Sequence, residues 1–312
     1  MKKLSVITVL NTVNYGSALQ TFATQKYFTD KGFEVEFVDY WRKDQKTEAR
    51  IENVTGSDQM WNSGWNQGIE KSFFLEYVPE DKKRIAYATS IGKTEFDEKE
   101  AKEIIPYIRK YDLITLREQS AVDLLKKYDI ESSLVLDPTL MLGRESWEKY
   151  IPRMDNNKKY LLVYQLHNEH ADASFDDAVK KIAKHKKLDI IRVTYSYSDI
   201  KVGKKLVLPD VFEFLALIKN AEFIVTDSFH GTAFSINFNK QMAVVYPKKF
   251  STRMDNILNI TGLKNRRYVN RDTVEKWDDR IDYSIVNNIL EDKRKQINSV
   301  IDKWCENEIN MQ

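Results

Sequence analysis

Cysteine is nearly absent from this chain of 312 residues: the lone Cys305 excludes an internal disulfide and a cysteine-based zinc site, and it fits a reducing cytosol. No window approaches transmembrane length. Charge of one sign is not in excess either, since 49 Lys and Arg face 47 Asp and Glu for a net charge of +2. The basic surplus that nucleic-acid binding brings is therefore missing. A GxGxxG dinucleotide fingerprint and an HExxH metal helix are both lacking, and there are only four histidines. The opening MKKLSVITVL faintly imitates a signal peptide. Its apolar run is too short, has no small-residue cleavage site and passes into the polar NTVNYGS, so it reads as a first buried strand. The expected location is the cytoplasm, with peripheral association at the inner face of the membrane left open.

What is present is the material of a packed globular protein, with 42% hydrophobic and 12% aromatic residues. The length suits two domains of ordinary size. Short apolar runs alternate with helical periodicity almost throughout. Strands are predicted at 4–10, 33–40, 84–90, 113–116 and 133–136, with helices at 17–31, 97–110 and 120–128. The pattern restarts with strands at 160–166, 189–194, 222–226 and 241–246 and helices near 175–185, 211–221 and 232–237. Repeated βαβ units with continuous apolar strands predict α/β architecture: two Rossmann-like, doubly wound parallel-sheet domains with an interdomain cleft. The polar stretch 143–159 marks the boundary, giving domains 1–148 and 149–281 followed by a helix at 282–312. That helix carries apolar positions at Ile285, Ile289, Ile297, Val300 and Trp304. Residues 41–52, WRKDQKTEARIE, leave almost no room for a crossover helix.

The segment AEFIVTDSFHGTAFSINFNK at 221–240 is the most informative. It predicts a short strand, a turn carrying Asp227, Ser228 and His230, and a helix opening at Gly231 and Thr232. An imidazole and a hydroxyl would then stand at a helix N-terminus, where backbone N–H groups and the macrodipole favour a phosphate or carboxylate.

Several motifs fall in a fixed order: NYGSALQ, GSDQMWN, Ser90-Ile91-Gly92, Arg117-Glu118, LDPTLM, TDSFHGTAFS and STRMDNIL. Together, over residues 5–263, they resemble the polysaccharide pyruvyl transferases. The resemblance implies a two-domain GT-B-like fold and transfer of an enolpyruvyl-derived unit from phosphoenolpyruvate to two hydroxyls of a sugar. The products would be a cyclic pyruvate ketal and phosphate. The resemblance further implies phosphoenolpyruvate as a co-substrate and a nucleotide-linked or lipid-linked saccharide as acceptor, with no cofactor or metal required in principle. The short 41–52 connection departs from the family pattern and bears on acceptor recognition more than on the donor.

The chemistry asks for fixed cations around a compact anion and for an acid that protonates the enol carbon. By resemblance His230 is the functional histidine, binding the donor and supplying the proton, where a backbone-bonded cap would be its ordinary alternative. Ser228 sits beside it. Arg117, just past an apolar strand, is an anion contact by the family pattern and, on sequence alone, equally an ion-pair partner of Glu118 or another carboxylate. Arg253 is a weaker candidate of the same kind, while Ser251 and Thr252 suit helix capping. A donor-binding lysine is implied near Lys248 and Lys249, where a solvated pair is the default. On the acceptor side, Asn14, Tyr15 and Gly16 form a turn into the first helix that serves equally as an N-cap. Ser57 and Asp58 lie in a similar turn, with Asp58 suited either to act as the base for an acceptor hydroxyl or to cap. Asp137 with Pro138 reads as a structural turn. His167-Asn168-Glu169-His170 reads as a solvated loop, and the lysine-rich 180–187 as an exposed helix face. Two other functions stay open: a GT-B glycosyltransferase using a sugar nucleotide, and a non-catalytic anion-binding relative in glycan biosynthesis.

Overall fold

The computed structural model describes residues 2–8, 14–38, 58–154, 158–194, 202–249 and 251–310. Ser57 and the whole of the 41–52 connection lie outside these residues. The chain divides into two compact units, Met1–Met141 with Glu291–Gln312, and Leu142–Leu290. The division thus falls at Met141, earlier than the expected 148, and the last helix is not a separate piece.

In the first unit, β1 (Lys2–Val6) pairs in parallel with β2 (Phe33–Phe37), joined by α1 (Tyr15–Asp30). A second parallel ladder orders β3 (Ile85–Thr89), β4 (Leu113–Leu116) and β5 (Ser133–Leu134). Helices α2 (Glu98–Ile108) and α3 (Gln119–Lys126) connect them, and α4 (Pro138–Met141) closes the unit's first segment. Asp97 caps α2 by accepting from Glu100 N, satisfying one of the four orphan donors of a helix start. β3 carries a bulge at Ala88, whose φ is +52°. The Thr115 hydroxyl fills it, accepting from Ala88 N at 2.9 Å and donating to Ala86 O at 2.8 Å. The apolar core gathers Trp61, Phe74, Ile104, Ile108, Leu116 and Leu124.

The second unit begins with α5 (Arg144–Glu148) and holds an all-parallel sheet. Its strands are β6 (Tyr160–Tyr164), β7 (Asp189–Thr194), β8 (Lys204–Val207), β9 (Phe223–Thr226) and β10 (Gln241–Val244), in the order β10-β9-β6-β7-β8. Helices α6 (Phe175–Lys186), α7 (Val211–Asn220), α8 (Phe229–Asn237) and α9 (Thr252–Ile260) complete it. A capping box between Asp210 and Glu213 starts α7. β8 is the strand that sequence patterning misses, because an edge strand tolerates the lysines that mask its apolar alternation.

The long α10 (Tyr283–Asn310) buries Val286, Leu290, Ile297, Ile301 and Cys305. Of the positions expected to be apolar-facing, Ile297 is buried, whereas Ile285 and Val300 are exposed. The helix is rotated by about one residue from the sequence expectation, a shift that packing decides where apolar residues lie on neighbouring rows.

Candidate functional site

The second unit's sheet changes direction between β6 and β9: β7 and β8 continue to one side of β6, and β9 and β10 to the other. Open parallel sheets bind ligands beyond the strand C-termini at such a switch point. Here the two neighbouring strands end in the segments carrying His167 and His170, and Asp227, Ser228 and His230.

β9 ends in a turn made of side-chain bonds to backbone. The Thr226 hydroxyl donates to Tyr164 O at 2.7 Å and accepts from Ser228 N at 3.1 Å. Ser228 caps α8, its Oγ accepting from Gly231 N at 3.2 Å. Helix α8 starts at Phe229, before the expected 232, because the Ser228 cap and not Gly231 sets its beginning. His230 therefore stands in the first helical turn and is buried. Gly231 is needed for another reason: a Cβ there would lie 2.4 Å from Thr226 Oγ1 and 3.1 Å from the Tyr164 ring. Its absence lets the helix start rest on the ends of β6 and β9.

Asp227, fully buried, ties the two strand ends together. Its Oδ1 accepts from Leu166 N at 2.6 Å, and its Oδ2 from His167 N at 3.0 Å and from His170 Nε2 at 2.8 Å. His167 and His170 are thus anchored to Asp227 while Asn168 and Glu169 are exposed, so the expected solvated loop holds only for the two middle residues. The His170 side chain is 5% exposed and packs on the Phe175 ring. His170 also bridges Pro247, and Lys248 N donates to Glu169 O at 3.3 Å, so the end of β10 is held to the same segment. Burial pushes the His167 imidazole below its ordinary pKa; Asp227 opposes this, while Arg253 and His170 add to it.

Among the expected donor-side residues, Ser228, His230, Arg253 and Lys248 come together here. The Arg253 guanidinium lies 5.6 Å from the ring centroid of Phe229, between Ser228 and His230 in sequence. The Lys248 ammonium meets Glu169 at 3.2 Å with both side chains mostly exposed, a contact easily exchanged. Lys249 is exposed.

The first unit treats its motif residues differently. Arg117 is 3% exposed and lies 2.6 Å from Asp137 Oδ2 and 4.0 Å from Glu118 Oε2. The ion pair open to Arg117 on sequence is made, and with Asp137 more closely than with Glu118. Glu118 Oε1 accepts from Ser90 Oγ, Ile91 N and Gly92 N at 2.8–2.9 Å. Asp137 also accepts from Thr139 N and Thr139 Oγ1. Three motifs thus interlock at the strand ends of this unit. Asn14 caps α1 through Gly16 N at 2.9 Å, and Tyr15 is buried. Asp58 O accepts from Met60 N and Ser90 N, while its Oδ2 is buried with no hydrogen-bond partner.

Asp227 is placed in the turn by sequence reasoning but given no role there, and His167 and His170 are set aside by it as a loop. The rule that singled out His230, a polar residue just past a strand, applies equally to both histidines after β6. Among the described residues no group of His, Cys, Asp and Glu is arranged to hold a metal ion, and no helix is long and apolar enough to cross a membrane.

Two parallel α/β units, one with an imidazole-lined helix start at its switch point, define a Rossmann-like fold of the GT-B type. Within that class the chain belongs to the polysaccharide pyruvyl transferase family, whose model matches residues 14–249. Membership makes it a transferase of polysaccharide modification. Among solved structures it is similar to S. aureus MnaA in a co-structure with UDP, at 14% identity, over 94% of this chain and 89% of that one, with a TM-score of 0.53. It also matches the glycotransferase of kitacinnamycin at 10% identity, over 97% and 98% of the two chains, with a TM-score of 0.49. The likeness to MnaA, at 14% identity, concerns the fold alone. A comparison with curated proteins finds no match.

Proposed function

We propose that the protein transfers the three-carbon unit of phosphoenolpyruvate to two hydroxyls of a sugar in a glycan or glycan precursor. A pyruvate ketal forms and phosphate leaves. The observation that carries this reading is His230 in the first turn of α8, buried beside the Ser228 cap at the end of β9, within the segment matched by the family model.

In the proposed chemistry the donor's anionic groups are met by the start of α8 and by Arg253, with Lys248 free to exchange Glu169 for the ligand. His230 gives a proton to the methylene carbon of the enol, which leaves the adjacent carbon electrophilic. One sugar hydroxyl adds there, phosphate departs, and the second hydroxyl closes the ring. The two hydroxyl protons balance the one gained by carbon and the one gained by phosphate.

The test is phosphate release from phosphoenolpyruvate across a panel of nucleotide-linked and lipid-linked sugars, with the product weighed by mass spectrometry. Acceptor-dependent phosphate and a product heavier by pyruvate less one water are expected. Release of a nucleoside diphosphate from a sugar nucleotide, with phosphoenolpyruvate untouched, would replace the reading with glycosyl transfer.

A further inference from the structure

The second unit carries a basic groove that the proposed chemistry leaves unused. Its volume is about 640 Å³, and it is lined by Lys264, Arg267, Arg271 and Lys276, with Asp172 and Asp272 as its carboxylates. Arg267 bridges Val244 in parallel, and Tyr268 N donates to Val244 O at 2.8 Å. The chain here therefore runs alongside β10 and leaves at the C-terminal end of the sheet, the end that carries Asp227 and His170. Ala171 N donates to Tyr246 O at 3.0 Å, and Asn270 N to Asp172 O at 3.4 Å. The segment tied to Asp227 thus continues into the wall of the groove.

The charge of this groove is not balanced from within. Asp272 closes its turn: Oδ2 accepts from Val269 N at 2.8 Å and from the Lys276 ammonium at 2.9 Å, and Lys276 also donates to Arg267 O. Asp172 pairs with Arg267, whose guanidinium lies 4.3 Å from the Tyr246 ring centroid. Each carboxylate is thus occupied by one cation. Lys264 and Arg271 are exposed, and among the described residues neither side chain has a hydrogen-bond or ion-pair partner. Two positive charges on long side chains remain in one groove. A diphosphate esterified at both ends carries two negative charges at neutral pH and presents oxygens on two phosphorus atoms. It suits a guanidinium fork beside an ammonium, which a neutral glycan does not.

Resting on the transfer reading above, we propose that this groove holds the diphosphate of the acceptor's carrier. The sugar modified is then one still attached through a diphosphate to a nucleotide or a lipid, and not a finished neutral polymer. No bond of the diphosphate breaks; Lys264 and Arg271 position the acceptor while its sugar hydroxyls react. Because the two cations are exposed, acceptor binding weakens as salt rises, while the ketal chemistry itself does not depend on them.

The full chain is titrated calorimetrically with UDP-glucose as the nucleotide-linked diester, with farnesyl-diphospho-glucose as the lipid-linked one, with free glucose, and separately with phosphoenolpyruvate. Lys264→Gln, Arg271→Gln and the double variant, checked for folding by thermal denaturation, are compared with the wild type. We expect diester binding that is about tenfold weaker in each single variant and about a hundredfold weaker in the double, the worth of one charged contact each. Phosphoenolpyruvate affinity should be unchanged in all three, and free glucose should not bind. Binding of both diesters assigns the shared diphosphate, and binding of one alone names the source. Unchanged diester affinity in the folded double variant, or no diester binding by the wild type, would overturn the inference and leave the donor reading standing. Loss of phosphoenolpyruvate binding in the folded double variant would overturn it too, by giving the groove to the donor. A wild type that binds a diester through these two residues but no phosphoenolpyruvate would sustain the groove and remove the donor reading.

Discussion

The imidazole of His170 and the carboxylate of Asp227 lie 2.8 Å apart, each on the segment following a different strand of the central pair β6 and β9. Through this contact and two backbone N–H groups, a single buried carboxylate sets the conformation of the site's rim. Asp227→Asn keeps the size but offers one acceptor oxygen to three donors and turns an amide toward N–H groups. We expect a loss of about 2–3 kcal/mol of stability, the cost of buried donors left unmet, together with a raised KM for phosphoenolpyruvate. Equal urea midpoints for variant and wild type would show that the rim holds without Asp227.

His230→Gln retains a hydrogen-bond donor but cannot protonate carbon. Donor binding by calorimetry should stay near normal while turnover falls by about two to four orders of magnitude, the usual worth of a general acid. Full turnover would move the proton to another group. Weakened binding with normal turnover at saturating donor would reduce His230 to an anion contact.

Arg117→Ala tests a residue that the sequence leaves between an anion contact and an ion pair. Its guanidinium balances Asp137 and lies beside Glu118, all three nearly inaccessible. Truncation strands two buried carboxylates, so we expect destabilisation of about 3–5 kcal/mol, and the variant should not be an innocent probe of donor affinity. Unchanged stability with lost phosphoenolpyruvate binding would reverse that assignment and make Arg117 a ligand residue.

The depressed pKa of His167 has a sign that can be checked without any ligand. Below about pH 6.5 the unfolded chain binds a proton at this residue that the folded chain refuses, so stability should fall as pH drops through that value toward the lower folded pKa. Urea unfolding against pH should show a shallower acid decline in His167→Asn than in the wild type. Identical profiles would mean that the folded imidazole titrates normally.

Much of the fold could be read from apolar runs, because buried parallel strands announce themselves without alternation. The strand 113–116 and the strand 189–194 were placed at both ends, and His230 was found because a strand, a cap and a helix adjoin in sequence. What escaped depends on contacts distant along the chain. Nothing local to Asp227 reveals that His167 and His170 donate to it, and nothing in LITLRE reveals that Arg117 meets Asp137. The start of α8 was placed late because Gly231 resembles a helix opening, whereas its role is to let the helix touch Thr226 and Tyr164.

The pairing of β6 with β9 has a kinetic consequence. Tyr164 is opposite Thr226, with β7, β8 and two helices synthesised between them. The proposed donor site therefore cannot form before β9 has been synthesised, and it closes when this long loop does. A ligand that recognises the closed strand pair draws the folding equilibrium of the second unit toward completion. Protection from proteolysis by phosphoenolpyruvate should accordingly concentrate on the segments around Asp227 and His170, where the last connection is made.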